Sequence, residues 1–165
     1  MRRIWWVSSR TLVLAFTMSA ASYAQDATVG PAETLEEVIV TAQKREQDVQ
    51  DVPSSVETLR DEDLDAITAA GADVRLLSAR VPSLYVESSF GRTFPRFYIR
   101  GLGNTDFDRN ASQPVSLIYD EVVLENPILK GFPAFDLDRI EVLRGPQGTL
   151  FGRNTPAGID RKSVV

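Results

Sequence analysis

The chain has 165 residues, the length of one ordinary domain, with enough apolar content for a single modest core. It contains neither cysteine nor histidine, which excludes disulfide bonds, thiol nucleophiles, histidine general bases and most transition-metal sites. The formal net charge is −5, and this acidic balance argues against a nucleic-acid partner, because phosphate binding needs clustered lysine and arginine.

The N-terminus has the pattern of a secretory signal peptide. The first residues are basic, residues 11–21 are apolar or small, and Ser22 and Ala24 are small residues at the two positions that a cleavage site requires. A membrane anchor is the alternative, but the apolar stretch is shorter than the roughly 20 residues that a span needs. We predict a signal peptide over residues 1–24. Export of a chain without disulfides suits a bacterial periplasm or outer membrane.

Residues 25–50 are predicted to form a flexible segment, because most of them are polar, small or acidic and follow no apolar period. Within this segment, residues 38–41 (Val-Ile-Val-Thr) are β-branched throughout and are a strong candidate strand. Two alternatives remain open. The strand either begins the domain's own sheet, or it stays accessible and adds to the sheet edge of another protein. The polar residues on both sides slightly favour the accessible strand.

Residues 51–88 show the strand and helix signals that are typical of an α+β module. Acidic residues at helix starts interact favourably with the helix dipole, and glycine or proline ends each helix. We expect these elements to act as scaffold. They are a strand over residues 54–59, a helix capped by Asp61 with Leu64 and Ile67 inward, a stop at Gly71, a second helix capped by Asp73, and an extended segment over residues 84–87.

Residues 90–138 are predicted to form strands joined by polar loops. A strand over residues 97–100 ends before a glycine, and residues 104–113 form the loop best suited to meet a ligand. Residues 115–119 and 122–124 flank two acidic residues, which predicts a hairpin.

The most conspicuous pattern is an alternating strand over residues 139–144 that leads into a glycine-rich loop over residues 145–152. Ile140 and Val142 point to one face, and we expect the other face to meet water or a wall. The loop lacks the Gly-Lys-Ser/Thr ending of a P-loop, and the glycines near Gly101 lack the third small residue of a dinucleotide fingerprint. Both nucleotide interpretations are therefore rejected.

No set of residues predicts an enzyme. Asp106 and Asp108 could touch Ca²⁺, but two carboxylates without further oxygen ligands more often solvate a loop. Asp136 and Asp138 are more typical of a turn than of an acid/base pair. Without histidine or cysteine, and with no Ser–Lys motif, we predict neither enzymatic activity nor a cofactor.

Arg100 and Arg144 each end an apolar strand directly before a glycine. A solvated surface arginine is the commoner case. The functional alternative is that both guanidinium groups point at carboxylates outside this module, as bidentate pairs.

Together these pieces resemble the N-terminal plug of TonB-dependent outer-membrane receptors, over about residues 35–159. The resemblance is carried by residues 36–42 (Glu-Glu-Val-Ile-Val-Thr-Ala, like a TonB box), 97–101, 115–122 and 138–158. It implies an α+β fold, a small mixed β-sheet with short helices and long loops, that fills a 22-stranded barrel.

The resemblance also implies partners and sites. TonB grasps the box by strand addition, plug arginines pair with glutamates of the barrel wall, and loops face the substrate, in this family a ferric siderophore, haem, cobalamin or a glycan. The matching box residues are Glu36, Glu37, Val38, Ile39, Val40, Thr41 and Ala42; the wall contacts are Arg100 and Arg144; the substrate-facing loop contains Asn104, Thr105, Asp106, Asp108, Arg109 and Asn110.

The chain departs from the family pattern after Gly158, where charged residues replace an apolar strand. We therefore expect a plug domain over residues 51–159, an aberrant tail over residues 160–165, and a truncation that removes the barrel. Two functions remain open. One is the gating and TonB-coupling module of an outer-membrane transporter, present as a fragment; the other is a free periplasmic protein with a plug fold that binds TonB or ligand.

Overall fold

The computed structural model describes residues 37–106, 108 and 110–165; the predicted signal peptide and residues 25–36 lie outside this part of the chain. No helix in the described part is long and apolar enough to cross a membrane. In chain order the elements are β1 (Ile39–Val40), β2 (Gln47–Asp48), a 3₁₀ helix (Val49–Asp51), β3 (Ser55–Leu59), α1 (Asp61–Ala69), a second 3₁₀ helix (Val74–Ala79), β4 (Leu84–Glu87), β5 (Arg96–Ile99), β6 (Val115–Tyr119), β7 (Val122–Leu124), a third 3₁₀ helix (Leu129–Gly131), β8 (Leu137–Arg144), α2 (Gly148–Phe151) and β9 (Gly158–Val164).

A five-stranded mixed sheet forms the centre of the described domain. Its strand order is β3-β8-β9-β6-β7, so the last strand of the chain lies in the middle. β9 runs antiparallel to β8 and parallel to β6, whereas the other pairs are antiparallel. β1–β2 and β4–β5 form separate two-stranded sheets. The predicted small mixed sheet with short helices is confirmed.

Apolar side chains cover both faces of the central sheet. On one face, α1, the second 3₁₀ helix and the β4–β5 pair contribute to a large core around Leu77, Ile99 and Ile140, which includes the predicted Leu64 and Ile67. On the other face lies a smaller core, which we call the second core. Its buried members are Val40, Ala42, Val52, Ile118, Leu143, Phe151 and Ile159.

The second core corrects the expectation that one face of the 139–144 strand meets water or a wall. Glu141 and Leu143, on that face of β8, are 0% exposed. Leu143 packs with Val40 and Phe151, because residues 38–42 and the short helix α2 fold over the strand. β8 is therefore buried on both faces.

The end of the chain also differs from the expectation. Residues 160–164 are not a tail outside the domain, because β9 continues to Val164 and pairs with β8 on one side and β6 on the other. Asp160, Arg161 and Lys162 are at most 6% exposed. Such burial is tolerated where charges are paired, and here Arg161 forms an ion pair with Glu141 at 3.2 Å while Lys162 contacts Asp160.

The predicted helices form, with one different cap. α1 begins at Asp61, but Arg60 occupies the cap position without a side-chain bond, and Asp61 itself has a φ of 42°. Asp73 caps the second 3₁₀ helix by accepting from the main-chain N–H of Arg75 at 2.9 Å. Gly71 ends α1 at a φ of +96°, where a side chain would be strained.

The hairpin predicted from residues 115–124 is confirmed as β6 and β7. Asp120 and Glu121 have φ values of 45° and 65°. Two successive positive φ angles are what a two-residue turn of type I′ requires, because that turn matches the twist of the flanking strands. The strands over residues 54–59 and 84–87 are likewise found, as β3 and β4.

Two buried lysines lie near each other, Lys162 in β9 and Lys130 in the third 3₁₀ helix. Lys130 is 2% exposed, and its ammonium donates to the carbonyl of Val115 at 2.5 Å. Burial lowers the pKa of Lys130 to about 8, and repulsion from Lys162 acts in the same direction, whereas Asp160 and Glu125 oppose the shift. Burial also lowers the pKa of Lys162. Both lysines therefore reduce the stability of the folded chain when they are charged.

This arrangement predicts that the free energy of unfolding rises with pH above about 8. Between about pH 8 and the ordinary lysine value of 10.5, folded Lys130 is neutral while the unfolded chain still carries the proton. We expect a gain of about 2 kcal/mol between about pH 7 and about pH 9.5, measured by urea unfolding followed by circular dichroism. Lys130→Met should flatten this rise, and an equally steep rise in the variant would contradict the assignment.

Candidate functional site

The strand that the sequence identifies as a box lies against the rest of the domain. Glu36 is outside the described residues, and Glu37 is exposed. Val40 and Ala42 are 0% exposed and belong to the second core. β1 pairs with β2 in antiparallel register. The segment therefore has both a main-chain partner and a packed face.

Two expectations for this segment change. The strand is not unpaired, because residues 47–48 of the polar run form β2 and pair with it. Residues 37–50, predicted to be flexible, contain two strands and the start of the 3₁₀ helix Val49–Asp51. β2 could not be predicted, because Gln47 and Asp48 lack the β-branched or aromatic side chains that indicate a strand.

A buried carboxylate of the sheet holds the box strand. Oε1 of Glu141 accepts from the main-chain N–H of Thr41 at 2.8 Å and from its hydroxyl at 3.1 Å. Nε of Arg139 donates to the same oxygen at 2.9 Å, and Nη1 of Arg161 donates to Oε2 at 3.2 Å. Both arginines also donate to the hydroxyl of Thr41. One network therefore joins the box strand to β8 and β9.

Two further contacts involve residues on either side of Thr41. Arg60, at the start of α1, donates to the carbonyl of Ile39. The ammonium of Lys44 lies 5.3 Å from the ring centroid of Phe151, a cation–π distance. The box strand is thus held by main-chain and side-chain groups on both sides of Thr41.

The two arginines chosen from the sequence lie in different environments. The guanidinium of Arg144 is 2.9 Å from Glu57 and donates to Ser55 at 3.1 Å and to the carbonyl of Pro82 at 3.2 Å. The structure thus differs from the expectation that Arg144 points outside the module, because β3 supplies its carboxylate. Arg100 is exposed, and among the described residues its side chain forms no hydrogen bond or ion pair.

The loop over residues 104–113 is shaped by its own side chains. Asn104, Asp106 and Asp108 each accept, through a side-chain oxygen, from the main-chain N–H two residues on, at 2.8, 2.9 and 2.9 Å. In these successive Asx turns, the side-chain oxygens bind the main chain of the loop itself. In the described part of the chain, no group of three or more acidic residues is placed to hold a metal ion.

A polar groove of about 750 Å³ adjoins this loop. Of the predicted loop residues, Asn110 lines it, and Arg109 lies outside the described residues. Ala111 and Ser112 lie in the same predicted loop. The sequence did not indicate the remaining lining residues, because they come from two further segments that no local spacing connects to the loop. The groove is lined by Asn110, Ala111, Ser112, Glu125, Asn126, Arg153, Asn154 and Pro156.

The chain also matches a known family over most of its length. The model of the TonB-dependent receptor plug domain covers residues 48–159. The chain belongs to this family. The predicted resemblance is thereby confirmed, and because plug domains are parts of transport receptors, the plug domain is not an enzyme. The family match ends at residue 159, whereas β9 of this plug domain continues to Val164.

Relatives of the plug domain are much longer proteins. The iron-regulated outer membrane virulence protein of Vibrio cholerae is 31% identical over 157 residues, which are 92% of this chain and 22% of the relative. The ferric yersiniabactin uptake receptor FyuA of Yersinia pestis superposes with a TM-score of 0.58 at 25% identity, over 68% of this chain and 17% of that receptor.

The ferripyoverdine receptor of the Pseudomonas aeruginosa outer membrane superposes with a TM-score of 0.56 over 78% of this chain and 16% of its own. At 14% identity, this likeness shows the fold alone. The plug domain thus spans about a fifth of the length of the curated relatives that it matches.

The contrast between the two arginines can be tested by unfolding. Arg144→Ala should lower the free energy of unfolding of the plug domain by roughly 1–2 kcal/mol, because Glu57 loses its ion pair and the Pro82 carbonyl loses a donor. Arg100→Ala is the matched control and should stay within about 0.5 kcal/mol of the unmodified chain. Urea titrations followed by circular dichroism give both values, and equal losses would contradict the assigned environments.

Proposed function

We propose that this plug domain is the gating and TonB-coupling module of an outer-membrane transporter for a ferric siderophore or a similar large nutrient. The observation that carries the proposal is the family match over residues 48–159, preceded by a box-like strand at residues 36–42. The relatives support the substrate class: one is an iron-regulated outer membrane protein, and another is an uptake receptor for ferric yersiniabactin. The outer membrane is the corresponding location.

TonB binds the box in this proposal by strand addition. An extended segment with β-branched residues suits this mode, because main-chain hydrogen bonds supply affinity and alternate side chains supply specificity. Residues 36–42 provide such a segment at the N-terminal edge of the domain. Within it, Ile39 and Val40 adopt strand geometry, paired with β2.

The substrate, in this proposal, approaches the 104–113 loop and the polar groove beside it. The groove offers amide, hydroxyl and guanidinium donors from Asn110, Ser112 and Arg153. Such donors suit a ligand rich in oxygen acceptors, and a ferric siderophore such as the one taken up by the FyuA receptor is cargo of this kind in the proposal. The ferric ion remains part of that cargo.

Gating requires that the plug domain bind to, and separate from, the inner wall of the receptor's β-barrel. Arg100 supports this role, because it is exposed beside the end of β5 and its main-chain N–H is fixed by the carbonyl of Ser83 at 2.9 Å. A guanidinium presented from a rigid strand end is suited to bidentate pairing with a carboxylate of the receptor's β-barrel.

The TonB contact is tested by replacing Ile39 with proline. Proline removes a main-chain N–H and therefore one hydrogen bond of an added strand, so we expect capture of the chain on immobilised TonB to be lost. Ile39→Val keeps the donor and the β-branched shape and should be captured as well as the unmodified chain. Undiminished capture of a folded proline variant would refute the assignment of the box.

A further inference from the structure

The chain has four asparagines, and one of them lies in an Asn-x-Ser/Thr sequence. Residues 110–112 are Asn-Ala-Ser, whereas Asn104, Asn126 and Asn154 have neither serine nor threonine two residues later. Asn-x-Ser/Thr, with x other than proline, is the acceptor sequence for N-linked glycosylation in exported proteins. A signal peptide over residues 1–24 would bring the plug domain into the compartment where this modification takes place.

Asn110 lies where a modifying enzyme can reach it. The residue is exposed and belongs to the polar loop over residues 104–113. The main-chain N–H of Ala111 donates to the carbonyl of Asp108 at 3.0 Å, which closes a turn that contains Asn110. Within the part of the chain that the structure describes, the side-chain amide of Asn110 has no hydrogen-bond partner. Its nitrogen can therefore enter the active site of another protein without breaking a contact.

The other groups of the acceptor sequence are on the surface as well. Ser112 is exposed, and its hydroxyl donates to the side-chain oxygen of Asn154 at 2.5 Å. The hydroxyl oxygen keeps its capacity to accept. The carboxylate of Asp108, two residues before Asn110, is exposed and adds a charge that a transferase can recognise. It accepts from the main-chain N–H of Asn110 at 2.9 Å, so the carboxylate and the acceptor residue keep a fixed spacing.

The polar groove beside Asn110 offers room for the sugars nearest the attachment point. It has a volume of about 750 Å³, and Asn126, Arg153 and Asn154 line it together with Asn110. Sugar hydroxyls both donate and accept hydrogen bonds, and amide side chains also do both. A glycan attached to Asn110 therefore has a complementary surface next to its first residue.

We propose that Asn110 is an N-glycosylation site, modified by a periplasmic oligosaccharyltransferase that uses an oligosaccharide linked to a lipid pyrophosphate. Nδ2 of Asn110 forms a bond to the anomeric carbon of the first sugar, while the bond from that carbon to the pyrophosphate oxygen breaks. The lipid pyrophosphate leaves with the bonding electron pair, and a proton of the amide passes to a base of the transferase. The inference rests on the proposed export of the chain and adds a modification beside the groove that the proposed substrate approaches.

The reaction is tested on the folded chain with a purified bacterial oligosaccharyltransferase and its lipid-linked oligosaccharide. Fragmentation of the tryptic peptides by mass spectrometry locates any added sugar. We expect a mass increase equal to one donor oligosaccharide on Asn110 and no sugar on the other three asparagines. If Asn110 stays unmodified while a short Asn-x-Ser acceptor peptide in the same reaction is glycosylated, the site is refuted.

Substitutions separate recognition of the sequence from effects on the fold, which circular dichroism checks for each variant. Asn110→Gln and Ser112→Ala should both abolish the product, whereas Ser112→Thr keeps the hydroxyl and should retain it. Asn154→Ala is the matched control, because it breaks the contact with Ser112 without changing the acceptor sequence, and it should be glycosylated as well as the parent chain. Equal glycosylation of Ser112→Ala and Ser112→Thr would show that the sequence is not read and would overturn the assignment.

The chain isolated from the envelope of its own cells separates this inference from the proposed function. Sugar on Asn110 in that chain supports the site. An envelope chain without sugar on Asn110 overturns the site, whereas the proposed function stands if immobilised TonB still captures the chain. If the chain is found inside the cell with residues 1–24 still attached, the proposed location fails, and the reaction with the purified transferase alone decides whether Asn110 is an acceptor.

Discussion

The burial of three charged residues in the middle of the central sheet sets conditions for every neighbouring element. β9 carries Asp160, Arg161 and Lys162 between β8 and β6, and each charge must be neutralised in place, because an unpaired buried charge is strongly destabilising. Arg161 meets Glu141 on the face of the second core, whereas Lys162 meets Asp160 on the opposite face. A slip of one residue would exchange the two faces, so these pairs also specify the register of β9.

The ion pair on the face of the second core serves the box strand at the same time. Glu141 needs hydrogen-bond donors because it is fully buried, and Thr41 of the box strand supplies two of them. Arg139 and Arg161 supply the rest from the sheet itself. The arginines neutralise the charge of Glu141, whereas the threonine contact joins the box strand to it.

Much of the domain was predictable because its signals are local. β-Branched alternation, acidic helix starts and glycine stops indicated β3, α1, β4 and the β6–β7 hairpin, and the family resemblance supplied the plug fold. Most of the errors concern long-range charge pairing. Thr41 and Glu141 are 100 residues apart, and Glu141 and Arg161 are 20 apart. The charged residues after Gly158 did not predict a buried strand. The free-energy cost of burying a charge depends on its partners, and sequence spacing does not show those partners. The same holds for Arg144, whose partner Glu57 lies 87 residues away.

The Arg144 ion pair lies where the chain first enters the central sheet after the box strand. After the box strand, residues 43–54 lead into the five-stranded sheet at Ser55, the first residue of β3. β3 is an edge strand, held by β8 on one side alone, so tension at its first residue would peel it from that end. Ser55 stands opposite Arg144 in the register, and the guanidinium binds Ser55 and Glu57 together. The guanidinium of Arg144 thus anchors β3 at the end where peeling would begin, the point at which the chain enters the central sheet.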